Sequence, residues 1–136
     1  METKVKVTIE RGKDGRYSSF TDHDLPGYGL LGFGETAQEA ITDFLESYNE
    51  ACEMIAEEGG KAPVLSFEFY YDLASFLDFY SEILSKPGLQ KITGINQKQL
   101  WHYYSGIRTP KPETTRKIER SLHNFADALK QVHFID

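Results

Sequence analysis

The sequence predicts an α+β protein made of a β-β-β-α-β half followed by an all-helical half. Before residue 72, apolar residues mostly alternate with polar ones in short runs, the period of half-buried strands. After it they recur every three or four residues, the period of an amphipathic helix. The 136 residues, 40% of them hydrophobic, suffice for one ordinary domain or two small ones and argue against general disorder. No Gly-, Ser- or Pro-rich linker separates Tyr71 from Asp72, so two coupled domains are expected, 1–71 and 72–136.

In Lys4–Glu10, Val5, Val7 and Ile9 take one face and Lys4, Lys6 and Thr8 the other, which predicts a strand. Asp14-Gly15 reads as a hairpin turn into a second strand, Arg16–Thr21. Asp22-His-Asp-Leu-Pro-Gly27 is a loop of turn formers. A third strand spans Tyr28–Phe33, where Gly29 and Gly32 permit a bulge or a close backbone approach. Thr36-Ala-Gln-Glu39 has the form of a capping box. It opens a long helix whose apolar stripe is Ala37, Ala40, Ile41, Phe44, Leu45, Tyr48, Cys52 and Ile55, and Gly59-Gly60 stops it. Leu65–Tyr71 alternates again, as a fourth strand.

In the second half, Asp72 can cap a helix with the stripe Leu73, Phe76, Leu77, Tyr80 and Leu84. Short helices follow over Lys86–Thr93 and Asn96–Tyr104. A final helix spans Pro112–Phe134, its stripe formed by Ile118, Leu122, Phe125 and Leu129. Gly94 suits the left-handed end of the first short helix, and Asn96 can cap the second. Ile95 can tuck between the two. Leu100 and Tyr103 then face inward, with Tyr104 or Ile107, while Gln97, Lys98, Trp101 and His102 face outward.

The net charge of −6 hides an asymmetry. Residues 1–71 hold 6 Lys/Arg and 14 Asp/Glu, whereas residues 85–120 hold 8 against 2. Such polarity fits two surfaces with different partners, one an anion such as nucleic acid and one cationic; a surface that is merely solvated is the plainer alternative. The sequence has no run of 18 apolar residues, so no membrane-spanning helix is expected. The alternating N-terminus lacks the apolar core of an export signal, and the single cysteine, Cys52, cannot form an internal disulfide. A cytoplasmic location is expected.

Residues that open a helix of this kind can reach base edges in the major groove. Gln97 can pair bidentately with adenine, and Lys98 can donate to guanine acceptors. Arg108 and Lys111, after Gly106, are placed for phosphates. Leu89 through Gly94, Ile95-Asn96-Gln97, Leu100, Tyr103, Gly106-Ile-Arg108, Pro112-Glu-Thr114 and Ile118 together resemble the lambda-repressor-like (XRE-type) helix-turn-helix family over about 60 residues. That resemblance implies base contacts from Gln97, Lys98 and His102. It also implies phosphate contacts from Ser85, Lys86 and the loop after the recognition helix; Asn96 is assigned to the phosphate set as well. Gln90 and Trp101 depart from the family pattern. A helical hairpin serving only as a dimer scaffold is the alternative.

Arg16-Tyr-Ser-Ser-Phe-Thr21, Asp24-Leu-Pro-Gly27 and Gly34-Glu-Thr-Ala-Gln-Glu-Ala40, in that order, resemble the HicB antitoxin family, which has a partial RNase H-like fold. Tyr28 departs from that pattern. The resemblance implies an antitoxin that blocks a HicA-like, mRNA-cleaving toxin with its first domain and represses their operon with its second. An acidic first domain suits a basic, RNA-binding partner. The competing expectation is a DNA-binding regulator whose first domain assembles or senses a ligand. An enzyme is not expected, because the strands offer mainly Lys, Thr, Ser and Gly rather than converging carboxylates. Asp22-His23-Asp24 has metal-site residue types but falls in a turn. His102, His123 and His133 lack zinc spacing. No metal or cofactor is expected. The expected partners are operator DNA, the toxin and a second copy of the chain, in a homodimer or higher even oligomer.

Overall fold

The computed structural model describes residues 3–22 and 29–136. The Asp24-Leu-Pro-Gly27 loop, His23 and Tyr28 lie outside the described residues. The protein is α+β, with a four-stranded mixed sheet and, among the described residues, five helices. In chain order the elements are β1 (Thr3–Arg11), β2 (Tyr17–Phe20), β3 (Leu31–Gly34), α1 (Ala37–Glu57), β4 (Leu65–Tyr71), α2 (Leu73–Tyr80), α3 (Lys86–Thr93), α4 (Gln97–Ser105) and α5 (Pro112–Lys130). They form two compact units, one ending at Phe79 and one beginning at Tyr80.

In the first unit the strand order is β3-β2-β1-β4. Strands β1, β2 and β3 form an antiparallel meander. Helix α1 then carries the chain back so that β4 lies parallel to β1, with Val5, Val7 and Ile9 opposite Phe67, Phe69 and Tyr71. The alternation is realised as burial: Val7 and Ile9 are fully enclosed. Phe44 of α1 meets Phe67 edge-on at 5.2 Å, and Tyr48 meets it at 5.1 Å. At the β1–β2 turn Gly15 has φ 84, and the Asp14 carboxylate accepts from the Arg16 amide.

Helix α1 lies almost directly on the backbone of β3. A Cβ at Gly32 would run into the Ala40 carbonyl and the Phe44 amide, and one at Gly34 into Glu39 and the Ala40 amide. Thr36 starts the helix, its hydroxyl accepting from the Glu39 amide at 3.0 Å, and the Glu39 carboxylate reaches back to the Glu35 amide.

Helix α2 belongs with the sheet, so the compact units divide after Phe79 rather than after Tyr71. Asp72 accepts from the Arg11 amide with one carboxylate oxygen and from the Ser75 amide with the other, tying the end of β1 to the start of α2. The Asp78 carboxylate accepts from the Ala37 amide at the start of α1, and Phe79 packs on Tyr71. The helix ends at Tyr80, short of the predicted stripe to Leu84, and Ile83 is 71% exposed.

In the second unit, Leu89, Thr93, Leu100 and Ile118 are buried where α3 packs against α4 and α5. Helix α5 ends at Lys130 rather than Phe134. Phe134 and Ile135 are fully or almost fully exposed, so no burial offsets the entropy of continuing the helix.

The close approach of α1 predicts that Gly32→Ala destabilises the protein by ~1–3 kcal/mol through overpacking. Gly29→Ala, where an added Cβ meets nothing within 4 Å, is expected to change stability little. Urea denaturation of both variants checks this.

Candidate nucleic-acid interface

The second unit presents α4 through a turn of three residues, Gly94–Asn96. Gly94 ends α3 with φ 76, a conformation open to glycine at little cost. The Thr93 hydroxyl donates to the Leu89 carbonyl at 2.7 Å and accepts from the Ile95 amide at 3.1 Å. Asn96 caps α4, its Oδ1 accepting from the Gln99 amide at 2.8 Å. The Gln97 amide, another of the free donors at that end, gives its hydrogen bond to Oε1 of Gln90 at 2.9 Å. Gln90 thus ties α3 to the first residue of α4.

The sequence-predicted site residues fall into three places. At the start of α3, Ser85 caps the helix by accepting from the Gly88 amide, which leaves its hydroxyl proton to donate. Beside it Lys86 holds its ammonium 4.3 Å from the centre of the Trp101 ring. On α4, Gln97 and Lys98 are exposed. Asn96 has committed its oxygen to the cap, so its side-chain NH₂ is what can meet a phosphate. In the turn beyond α4, Arg108 and Lys111 are exposed. Gly106 has φ 83 and ends α4, and the Arg108 amide folds back to the His102 carbonyl at 3.2 Å.

One expectation changes, and one open alternative is resolved. His102 is half-buried rather than outside, and its Nδ1 is enclosed without a hydrogen-bond partner among the described residues. Its part-burial narrows its access to a ligand. Of Tyr104 and Ile107, Tyr104 is the half-buried one, and Ile107 is 69% exposed. Leu100 is buried as expected, and Tyr103 is half-buried and held by a hydrogen bond from Gln99.

The exposed cations Lys91, Lys98, Arg108, Lys111, Arg116, Lys117 and Arg120 all belong to this unit, and none is in an ion pair among the described residues. The first unit carries the opposite charge. Along α1, Glu39, Asp43 and Glu46 line a shallow groove with Phe33 and Thr36. Phe33 is 56% exposed, and its amide donates to the Asp43 carboxylate at 2.8 Å. Among the described residues, no group of three or more His, Cys, Asp or Glu side chains is placed to hold a metal ion.

No protein-family model matches the chain, nor does any curated protein or solved structure.

The two hydrogen bonds of Thr93 predict that Thr93→Val, equal in shape, destabilises the helical unit by ~1–3 kcal/mol, whereas Thr93→Ser keeps most of the stability. Thermal unfolding followed by far-UV circular dichroism and by Trp101, the single tryptophan, distinguishes the two.

Proposed function

We propose that the protein is a DNA-binding repressor of the antitoxin type. Its helical unit grips operator DNA through α4, and its acidic unit silences a basic, HicA-like toxin that cleaves mRNA. The observation that carries the DNA reading is the start of α4: Gln97 and Lys98 stand exposed on a short, tightly capped helix, flanked by Lys86, Arg108 and Lys111. A helix held this way can enter the major groove, with its first residues on base edges and the flanking cations on phosphates. The three-residue turn containing glycine is the form such helix pairs take. This assigns a helix-turn-helix role to α3 and α4, and an HicB-like, partial RNase H-like role to the sheet unit.

The toxin reading rests on the first unit's charge and on the groove beside β3. Glu39 and Glu46 supply anionic groups in a groove that Phe33 also lines, suited to a basic protein that otherwise binds RNA phosphates. If residues along this groove were irrelevant, Glu39→Lys with Glu46→Lys would leave toxin neutralisation intact. The expected outcome is loss of neutralisation in co-expression and loss of the complex in pull-down, with operator binding retained.

A second copy of the chain is the third partner. Phe125, Leu129 and Val132 lie exposed along and just beyond the far half of α5. Pairing two copies there would hide apolar surface and supply two recognition helices for half-sites about one helical turn apart. Leu129→Glu is expected to give a monomer by light scattering and to weaken binding to a two-half-site operator far more than to a single half-site.

Reading and gripping separate by mutation. Gln97→Ala is expected to cost ~1–3 kcal/mol on the operator and little on scrambled duplex. Arg108→Ala should weaken both alike and lower the salt slope by about one unit. Titrations at several salt concentrations decide; equal losses on both duplexes for Gln97→Ala would remove α4 from base reading.

A further inference from the structure

Trp101 is large, apolar and 47% exposed on the outer side of α4, where burial gives no reason for it. It follows Gln97 by four residues and Lys98 by three, so the three side chains are neighbours on one helix face. Its ring is held from two sides of the sequence. The Lys86 ammonium lies 4.3 Å from its centre, and the Tyr104 ring stacks beside it at 5.2 Å with a tilt of 34°. A tryptophan fixed in this way presents a preorganised apolar surface beside two polar groups already placed for base edges.

Resting on the DNA-binding reading, we propose that Trp101 is a specificity-determining residue that packs against the C5-methyl group of thymine in the major groove. The groove floor offers hydrogen-bond donors and acceptors at every base pair, but the thymine methyl is its one apolar group. An apolar surface that enters the groove with Gln97 and Lys98 gains free energy only where that methyl is present. Lys86 stays over one face of the ring, where its charge also serves the adjacent phosphates. Gln97 favours adenine, so a Gln97–Trp101 pair reads A·T-rich half-sites by two chemistries: hydrogen bonding for adenine and methyl burial for thymine.

The test uses the full chain and a pool of random-sequence duplexes, from which bound sequences are enriched. The best site is then remade with deoxyuridine replacing each thymine in turn, which removes the methyl and leaves every hydrogen-bonding group. Wild-type protein is expected to bind about fourfold more weakly when one particular thymine of a half-site loses its methyl. Trp101→Ala should bind the thymine and deoxyuridine forms equally, and Trp101→Phe should keep part of the difference. The readout is the ratio between the two forms, which a general loss of affinity or of the Lys86 contact does not move. An undiminished ratio in Trp101→Ala, or no ratio in wild type, overturns the role of Trp101 while leaving DNA binding standing. Failure to enrich any site overturns the DNA-binding reading, and this role with it.

Discussion

The buried hydroxyl of Thr93 makes two hydrogen bonds, back to Leu89 and forward to Ile95, and the direction of α4 follows from them. With Gly94 in the left-handed region, the chain reverses within three residues, and Asn96 and Gln90 then take up two amides at the new helix end. Once that end is fixed, helical spacing does the rest. Leu100 points into the core shared with Leu89 and Ile118, so Lys98 and Trp101 must point away from it. The outer face of α4 is therefore set from inside, by a turn whose hydrogen bonds are costly to lose because one partner is buried.

The sheet unit obeys a comparable constraint at Gly32 and Gly34. The absence of Cβ atoms there brings the α1 backbone down onto β3. That closeness brings the Asp43 carboxylate to the Phe33 amide, at one end of the sheet. It also puts Glu39 and Glu46 in one shallow groove with Phe33. The acidic groove and the packing of the unit thus have one origin: two glycines alternating with two large apolar residues, the glycines facing the helix and Leu31 and Phe33 facing away.

Period-two and period-3.6 patterns made most elements legible. The alternation of Val5, Val7 and Ile9 located β1, and Gly94 with Asn96 located the break between α3 and α4. What escaped depends on contacts distant in sequence. The allegiance of α2 to the sheet is set by Asp78 reaching Ala37 and Phe79 reaching Tyr71, links that no local periodicity carries. The early end of α5 is equally non-local, because its stripe continues in sequence past the point where anything packs against it. At the candidate site, the outward placement of Gln97 and Lys98 was readable from helical spacing. The part-burial of His102 was not, since helical spacing alone puts it on the outer side of α4. Nor was the use of Gln90 legible, since it lies in reaching the Gln97 amide, seven residues on.

The helical unit has few means of standing alone. Among its described residues only Leu89, Thr93, Leu100 and Ile118 are buried, a small core for a segment beginning at Tyr80. Single cores of this size supply only a few kcal/mol. Meanwhile Phe125 and Leu129 remain exposed on a helix whose first half already contributes Ile118 to that core. In the proposed dimer, the same helix would join a unit's interior to its partner's surface. Burying the far half of α5 would then steady the near half, and through Ile118 the packing behind α3 and α4. Assembly and the presentation of α4 would then be one equilibrium, in which anything that favours the proposed pairing also favours the firm placement of both copies of α4.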